Sequence, residues 1–255
     1  MAIFEKNRFR ALAVIVALTG GLTAHGAATG PGAPASAQPV SQIYDLYLGG
    51  IKAGEMTMNA QWQGDAYKAT SVLRTAGIVG AVYKASFEAE TQGRMTQTGM
   101  APDRFAADSR MRKKTQSVEM LYRDDAPMAV NAEPAFIPKP WQVDPTEQKG
   151  AVDPITAALM ALAPMPVGQI CNRTVEVFDG RRRYAIEMGA PKPDGERIKC
   201  PANYKRIAGF KPKMMKKSPN FPFNIWFIER PDGQAQVIRA AGESMFGVAV
   251  ILLRQ

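Results

Sequence analysis

Few residues of this chain have the types and spacing that chemistry needs. Glu88 and Glu90 are two apart in an alternating stretch. On a strand they share a face roughly 7 Å apart, as paired carboxylates do in glycoside hydrolysis. The alternating apolar partners Phe87, Ala89 and Thr91 already account for that pattern as a solvated strand face. Ser244 sits in Gly242-Glu243-Ser244-Met245-Phe246-Gly247, one residue too long for a G-x-S-x-G elbow. Met56-x-Met58 and Met214-Met215 suggest soft-metal binding by thioethers. Methionine more often fills irregular core gaps, and no histidine or free cysteine accompanies these four. No phosphate loop or dinucleotide fingerprint occurs, so no cofactor is expected.

The sole histidine, His25, falls in a leader. Lys6, Arg8 and Arg10 form a positive segment, Ala11 to Leu18 an apolar one, and Ala35-Ser36-Ala37 a small-residue cleavage pattern. That order is a secretion signal. The expectation is a cleaved signal over residues 1–37 and one β-rich periplasmic domain over 38–255. The apolar run is shorter than the roughly 20 residues that span a bilayer. No later run is long enough either, so no transmembrane segment is expected after cleavage. The exported chain then holds no histidine, which excludes Ser-His-Asp and Cys-His catalysis and zinc sites built on histidine. Cys171 and Cys200 both lie in the exported part, 29 positions apart, where a disulfide between them would persist.

The formal charge of +9 falls to +7 once the three bases and one acid of the leader are set aside. Lys205, Arg206, Lys211, Lys213, Lys216 and Lys217 cluster without an acid among them, and Arg110, Arg112, Lys113 and Lys114 form a second group. An exported protein rarely meets nucleic acid, so anionic lipid headgroups, lipopolysaccharide or an acidic protein is the expected partner. A solvated basic face is the plainer reading. From Arg206 to Phe227 bases are mixed with Ile207, Phe210, Met214, Met215, Phe221, Phe223 and Trp226, as at lipid interfaces; the plainer reading is a loop whose apolar residues point into the core.

The elements that must position these residues are mostly strands. Met56, Met58, Ala60 and Trp62 alternate with polar neighbours, as on a half-buried strand. Tyr44 to Leu48 precedes a Gly49-Gly50 turn, Gln63-Gly64-Asp65 breaks the next pair, and Tyr67 to Leu73 continues. Phe87–Gly93, Phe105–Arg112, Gln116–Arg123 and Met128–Asn131 follow. A hairpin is expected over Thr174–Met188 with Asp179-Gly180 in a type I′ turn, and its base would be tied by the cysteines to a strand near Ala202–Phe210. Phe223–Glu229 and Val237–Ala241 continue the series. Val248–Leu253, wholly apolar, reads as a strand buried on both faces. Asp153 caps a helix that begins at Pro154 and ends before Pro164, and Ala76–Ala85 suggests a short second one. About ten strands and one or two helices imply a mainly β fold. The expected form is a single strongly curved antiparallel sheet, an open half-barrel or β-spiral, with the Asp153 helix in its concave side.

Four segments carry a family resemblance. They are Tyr44-Asp45-Leu46-Tyr47-Leu48-Gly49-Gly50-Ile51-Lys52-Ala53-Gly54, Asp153-Pro154-Ile155-Thr156-Ala157-Ala158-Leu159, Val177-Phe178-Asp179-Gly180-Arg181-Arg182-Arg183-Tyr184, and Cys200 with Tyr204-Lys205-Arg206-Ile207-Ala208-Gly209-Phe210. As a set they resemble an exported Gram-negative family known only as a domain of unknown function. Such proteins are similar to periplasmic β-spiral envelope-integrity proteins and, more remotely, to the lipoprotein-carrier fold. The resemblance implies a curved sheet, a periplasmic location and an envelope role, and assigns no active site. The functional expectation is a non-enzymatic binding or scaffold protein presenting a concave β surface to an apolar ligand, a lipid or a partner. The alternative is a carboxylate-dependent enzyme acting on envelope polymers.

Overall fold

The computed structural model describes residues 39–254; the leader and its histidine lie outside the described residues. In chain order the elements are β1 (Val40–Leu48), β2 (Ile51–Gln63), β3 (Ala66–Thr75), α1 (Gly77–Val82), β4 (Ala85–Thr96), β5 (Gly99–Met111), β6 (Lys114–Arg123), β7 (Ala126–Glu133), α2 (Pro154–Leu162), β8 (Met165–Pro166), β9 (Arg173–Phe178), β10 (Arg183–Met188), β11 (Lys192–Asp194), β12 (Arg197–Ala208), α3 (Pro212–Lys217), β13 (Asn220–Glu229), β14 (Gln234–Ser244) and β15 (Gly247–Leu253). All fifteen strands join one sheet, in the order β7-β6-β5-β4-β3-β2-β1-β15-β14-β13-β12-β10-β9, with β11 on β12 and β8 on β14. Every pairing between these strands is antiparallel. The fold is mainly β, as expected. Its strands are more numerous, and α3 lies in a stretch that offers no helical periodicity.

Two meanders make the sheet, β1–β7 and β9–β15, and they meet where the first strand pairs with the last. Tyr44 lies opposite Leu253 and Leu48 opposite Ala249. An ion cluster marks this joint. Arg254 donates to Asp45 and, at 2.7 Å, to Glu55, and Lys52 reaches Asp45 at 3.0 Å and Glu55 at 2.7 Å.

Period-two patterning sends one face inward. Tyr44, Met58, Tyr67, Phe105, Met120, Ile225, Phe227 and Val237 are all buried. The β1–β2 turn has positive φ at both Gly49 and Gly50, the geometry of a two-residue type I′ turn. The β9–β10 turn differs from the sequence reading. Pairing ends at Phe178 opposite Arg183, leaving a four-residue loop. The Asp179 carboxylate accepts from the Arg181 and Arg182 N–H groups at 2.9 and 2.8 Å, which stabilises the longer loop. Of its residues only Gly180 takes positive φ. β15 also differs: Val248 and Leu252 are exposed, because a single-layer sheet leaves its outer face to solvent.

The sheet does not close by strand pairing. Its edges β7 and β9 are clasped by the chain leading to α2. Gly150 N–H donates to Asp125 O at 2.8 Å, Val152 N–H to Glu176 O at 2.9 Å, and Phe178 N–H to Val152 O at 2.9 Å. α2 fills the concave side with buried Ile155, Thr156, Ala157 and Leu159. Asp153 caps it and is fully buried. One carboxylate oxygen accepts from Ile155 N–H at 2.8 Å and Thr156 N–H at 2.9 Å. The other accepts from the Thr91 hydroxyl of β4 at 2.8 Å and the Thr156 hydroxyl at 2.5 Å. Tyr67 of β3 joins through Thr156 at 2.9 Å. Burial raises the Asp153 pKa, and the hydrogen bonds oppose the rise. On the far side, Cys171 and Cys200 form the expected disulfide, with Cα atoms 5.7 Å apart, tying the entry of β9 to β12.

Three stability outcomes follow. Asp153→Ala removes a cap and strands four donors, so it should lower the unfolding free energy by about 2–4 kcal/mol in urea titrations. A folded-state pKa above the unfolded value gives stability that is present below the unfolded pKa and lost as pH rises through the folded one. The stability of wild type relative to Asp153→Asn should therefore grow as pH falls from about 7 toward 4. A flat difference would contradict the raised pKa. Replacing both cysteines by serine should cost roughly 3–4 kcal/mol from chain entropy.

Candidate functional site

In an antiparallel meander every second connection falls at the same end of the sheet. Strand pairing therefore sorts the connections of this protein into two sets. One end carries the β1–β2 turn, α1, the β5–β6 turn, the β9–β10 loop, the segment with α3 and the β14–β15 turn. Its connections hold Lys84, Arg112, Lys113, Arg181, Arg182, Lys211, Lys213, Lys216 and Lys217, against one acid, the buried-side Asp179. The opposite end holds Asp65, Asp124, Asp125, Asp194, Glu196 and Asp232, with Lys192 and Arg230. The two basic clusters of the sequence, about a hundred positions apart, thus occupy one end, and the charge of the molecule is polarised along the strands.

The same basic end exposes apolar side chains. Ile78 and Val82 on α1 are 70% and 79% exposed, and Met245 and Phe246 at the β14–β15 turn are 88% and 67% exposed. Ile51, Met111 and Val248 beside them are exposed too. α1 reads Gly-Ile-Val-Gly-Ala-Val and buries no residue. An isolated exposed apolar residue is ordinary, but an apolar helix outside the core is the feature that marks interaction surfaces.

Backbone contacts make these connections a continuous rim. Arg112 N–H donates to Lys84 O at 3.1 Å, Ala76 N–H to Ala53 O at 3.0 Å, and Gly49 N–H to Val248 O at 3.0 Å. Gly49 must be glycine twice over: its φ is +56°, and a Cβ would lie 2.6 Å from Phe246 O. The Ser244 hydroxyl donates to Gly247 O at 2.6 Å and accepts from Phe246 N–H at 3.1 Å. Ser244 therefore shapes the turn that presents Phe246.

The structure divides the basic patch read from the sequence. Lys205 is paired with Glu187 at 2.9 Å on the outer face of the sheet. Arg206 stacks on Phe221 at 4.5 Å and Phe210 at 5.3 Å, and donates to Met214 O and Ser218 O at 3.1 and 2.7 Å. It anchors the C-terminal end of α3. Lys211, Lys213, Lys216 and Lys217 are exposed and have no salt bridge among the described residues.

The other candidates are placed apart from this rim. Glu88 pairs with Arg74 at 2.9 Å, and Glu90 with Arg104 at 2.7 Å and Lys68 at 3.6 Å. Arg104 also holds Glu119 at 2.8 Å. The Arg104 hydrogen bond, helped by Lys68, keeps Glu90 below the usual carboxylate range. These residues form an ionic ladder on the outer face. Met58 is buried in the core, and Met214 is exposed on α3.

Two cavities lie at opposite ends of the sheet. A cleft of about 590 Å³ on the basic rim is lined by Arg74, Lys84, Arg110 and Arg112 together with Thr75, Gly77, Gly80 and Ser86. A smaller one of about 300 Å³ lies beside the β4–β5 and β6–β7 turns and Met160 of α2. No described helix is long and apolar enough to cross a membrane. Sequence reading missed the exposed α1 face and the Met245-Phe246 tip. The alternation of turns along the meander was the signal that could have placed both clusters together.

A profile of the family described as protein of unknown function (DUF3108) matches residues 43–254. Among solved structures the fold is similar to a beta-barrel-like protein of the domain of unknown function DUF1849 from Brucella abortus. That pair is 15% identical, covers 85% of this chain and 96% of the other, and has a TM-score of 0.48. No curated protein matches the sequence.

The Arg206 anchor can be tested directly. Arg206→Ala should raise amide exchange across residues 211–219 about tenfold while leaving the global urea midpoint nearly unchanged, as a local opening does. Exchange rates that stay at the wild-type level would show that α3 is held otherwise.

Proposed function

We propose a role for a chain that belongs to the DUF3108 family of proteins of unknown function: a non-enzymatic binding protein that rests its basic end against an anionic lipid surface of the cell envelope. One observation carries the reading. The connections that expose Ile78, Val82, Met245 and Phe246 lie at the end of the sheet whose connections carry nine bases and one acid. Apolar side chains flanked by bases suit the boundary between headgroups and acyl chains. Each base near such a surface contributes about 1 kcal/mol, and each apolar side chain that enters fully roughly 1.5–3 kcal/mol. A few of each give reversible attachment, which no described helix could convert to a span.

The concave side is a less suitable docking surface than the sequence suggested, because α2 packs into it. The carboxylate enzyme is disfavoured on chemistry. An inverting or retaining site needs one carboxyl kept protonated, whereas Glu90 is held ionised and both glutamates are committed to bases. A periplasmic location is part of the proposal. The leader pattern and the Cys171–Cys200 bridge support it.

Vesicle flotation tests the reading. The protein should float with phosphatidylglycerol-containing vesicles at about 0.1 M salt and be largely released near 1 M, where the Debye length falls to about 3 Å. The pair Val82→Ser and Phe246→Ser should weaken flotation even at low salt. Attachment that ignores both anionic lipid content and salt would overturn the proposal.

A further inference from the structure

The cleft on the basic rim has a lining that the rim as a whole does not share. Arg74, Ser86 and Arg110 are lateral partners across β3, β4 and β5. They stand in one row on the outer face, with the two arginines about 10 Å apart at Cα on either side of a serine. Lys84 and Arg112 close the row at the sheet end, where Arg112 N–H donates to Lys84 O at 3.1 Å. The Arg112 guanidinium lies over the Tyr83 ring at 4.8 Å. Small residues keep the wall of the cleft open. Gly77 takes φ +59°, and a Cβ on Gly80 would lie 2.9 Å from Thr75 O.

The charge of this row is not balanced. Arg74 has a partner in Glu88. Lys84, Arg110 and Arg112 have no salt bridge among the described residues, although acids are plentiful one strand pair further in. Gathering unpaired like charges around one cavity disfavours the empty fold, and a bound anion removes that cost. The cavity volume, about 590 Å³, is in the range of small-ligand sites. Guanidinium groups offer forked donors matched to phosphate oxygens, and the Ser86 hydroxyl between them adds a further donor.

We propose that this cleft binds a phosphomonoester group. The inference rests on the lipid-facing reading of the rim, in which the group belongs to a lipid headgroup seated at the surface. A monoester carries up to two charges and three terminal oxygens, and so engages more of this row than the single charge of a phosphodiester.

Calorimetry and flotation on the leader-free chain test it together. Glycerol 3-phosphate should bind saturably with one site per chain, and glycerophosphoglycerol about tenfold more weakly. The double variant Arg110→Gln, Arg112→Gln, checked for an unchanged melting curve, should lose glycerol 3-phosphate binding by at least about tenfold. Wild type should prefer phosphatidic acid vesicles to phosphatidylglycerol vesicles of equal surface charge, and the variant should not. If glycerol 3-phosphate and inorganic phosphate bind equally and no vesicle preference appears, the cleft is a site for free phosphate and the headgroup assignment is overturned. Binding of glycerol 3-phosphate without any flotation would retain the cleft and remove the lipid-facing rim. Failure of glycerol 3-phosphate to bind, with equal flotation on both lipids, would overturn the cleft while leaving the rim.

Discussion

A single buried carboxylate organises this fold. Asp153 has no access to water and no basic partner, yet all its hydrogen-bonding capacity is used by two N–H and two hydroxyl donors. Burying a charge is costly unless it is fully hydrogen-bonded, so the arrangement is permitted in one geometry only. That geometry fixes the first turn of α2 against Thr91 on β4 and, through Thr156, Tyr67 on β3. It also fixes the preceding residue, Val152, which bridges to β9. The same turn of chain thus joins the middle of one meander to the outer edge of the other. A curved sheet with free edges would invite pairing with a second chain; here the clasp occupies the inner approach to both.

Filling the concave side has a consequence for function. The apolar face that a half-barrel would offer a ligand is spent on α2, and what remains for recognition is the outer face and the two ends. On the outer face, opposite charges alternate across neighbouring strands and neutralise one another, as in the Glu88–Arg74 and Glu90–Arg104–Glu119 ladder. The ends obey a different constraint. Antiparallel hairpins deliver alternate connections to the same side, so charged groups far apart in the sequence are gathered in space by sign. Acids gather in the connections at one end and bases in those at the other.

Most of the sheet was legible because its physics is local. Period-two alternation at Met56–Trp62 and a Gly49-Gly50 pair require only neighbouring residues to be read. The cap at Asp153 was equally plain, though its burial was not, since Thr91 and Tyr67 lie some sixty to ninety positions away. The readings that differed depended on distant groups. Val248–Leu253 has the apolar content of a two-sided buried strand, but its outer neighbours on β1 and β14 include Asp45 and Arg239, and no second layer covers them. Asp179-Gly180 has the composition of a two-residue turn; the carboxylate found better partners in the next two N–H groups. α3 is held by an arginine from β12, a contact that no periodicity announces.

That arginine also shows why a run of bases cannot be read as one patch. Lys205 and Arg206 are adjacent in a strand, so they point to opposite faces. The lysine meets Glu187 across the outer face, and the arginine turns toward Phe221 and the end of α3. Both are consumed by the fold. Four residues on, the chain has left the sheet, and the lysines of α3 have no strand neighbour to neutralise them. Their charge stays available because the structure spent the preceding two bases on holding the segment in place. The apolar α1 stands in the same relation to the rim. Its backbone is tied down at Ala53, while Ile78 and Val82 remain outside the core. Leaving such side chains in water lowers the stability that their burial would give, and a surface that covers them restores it.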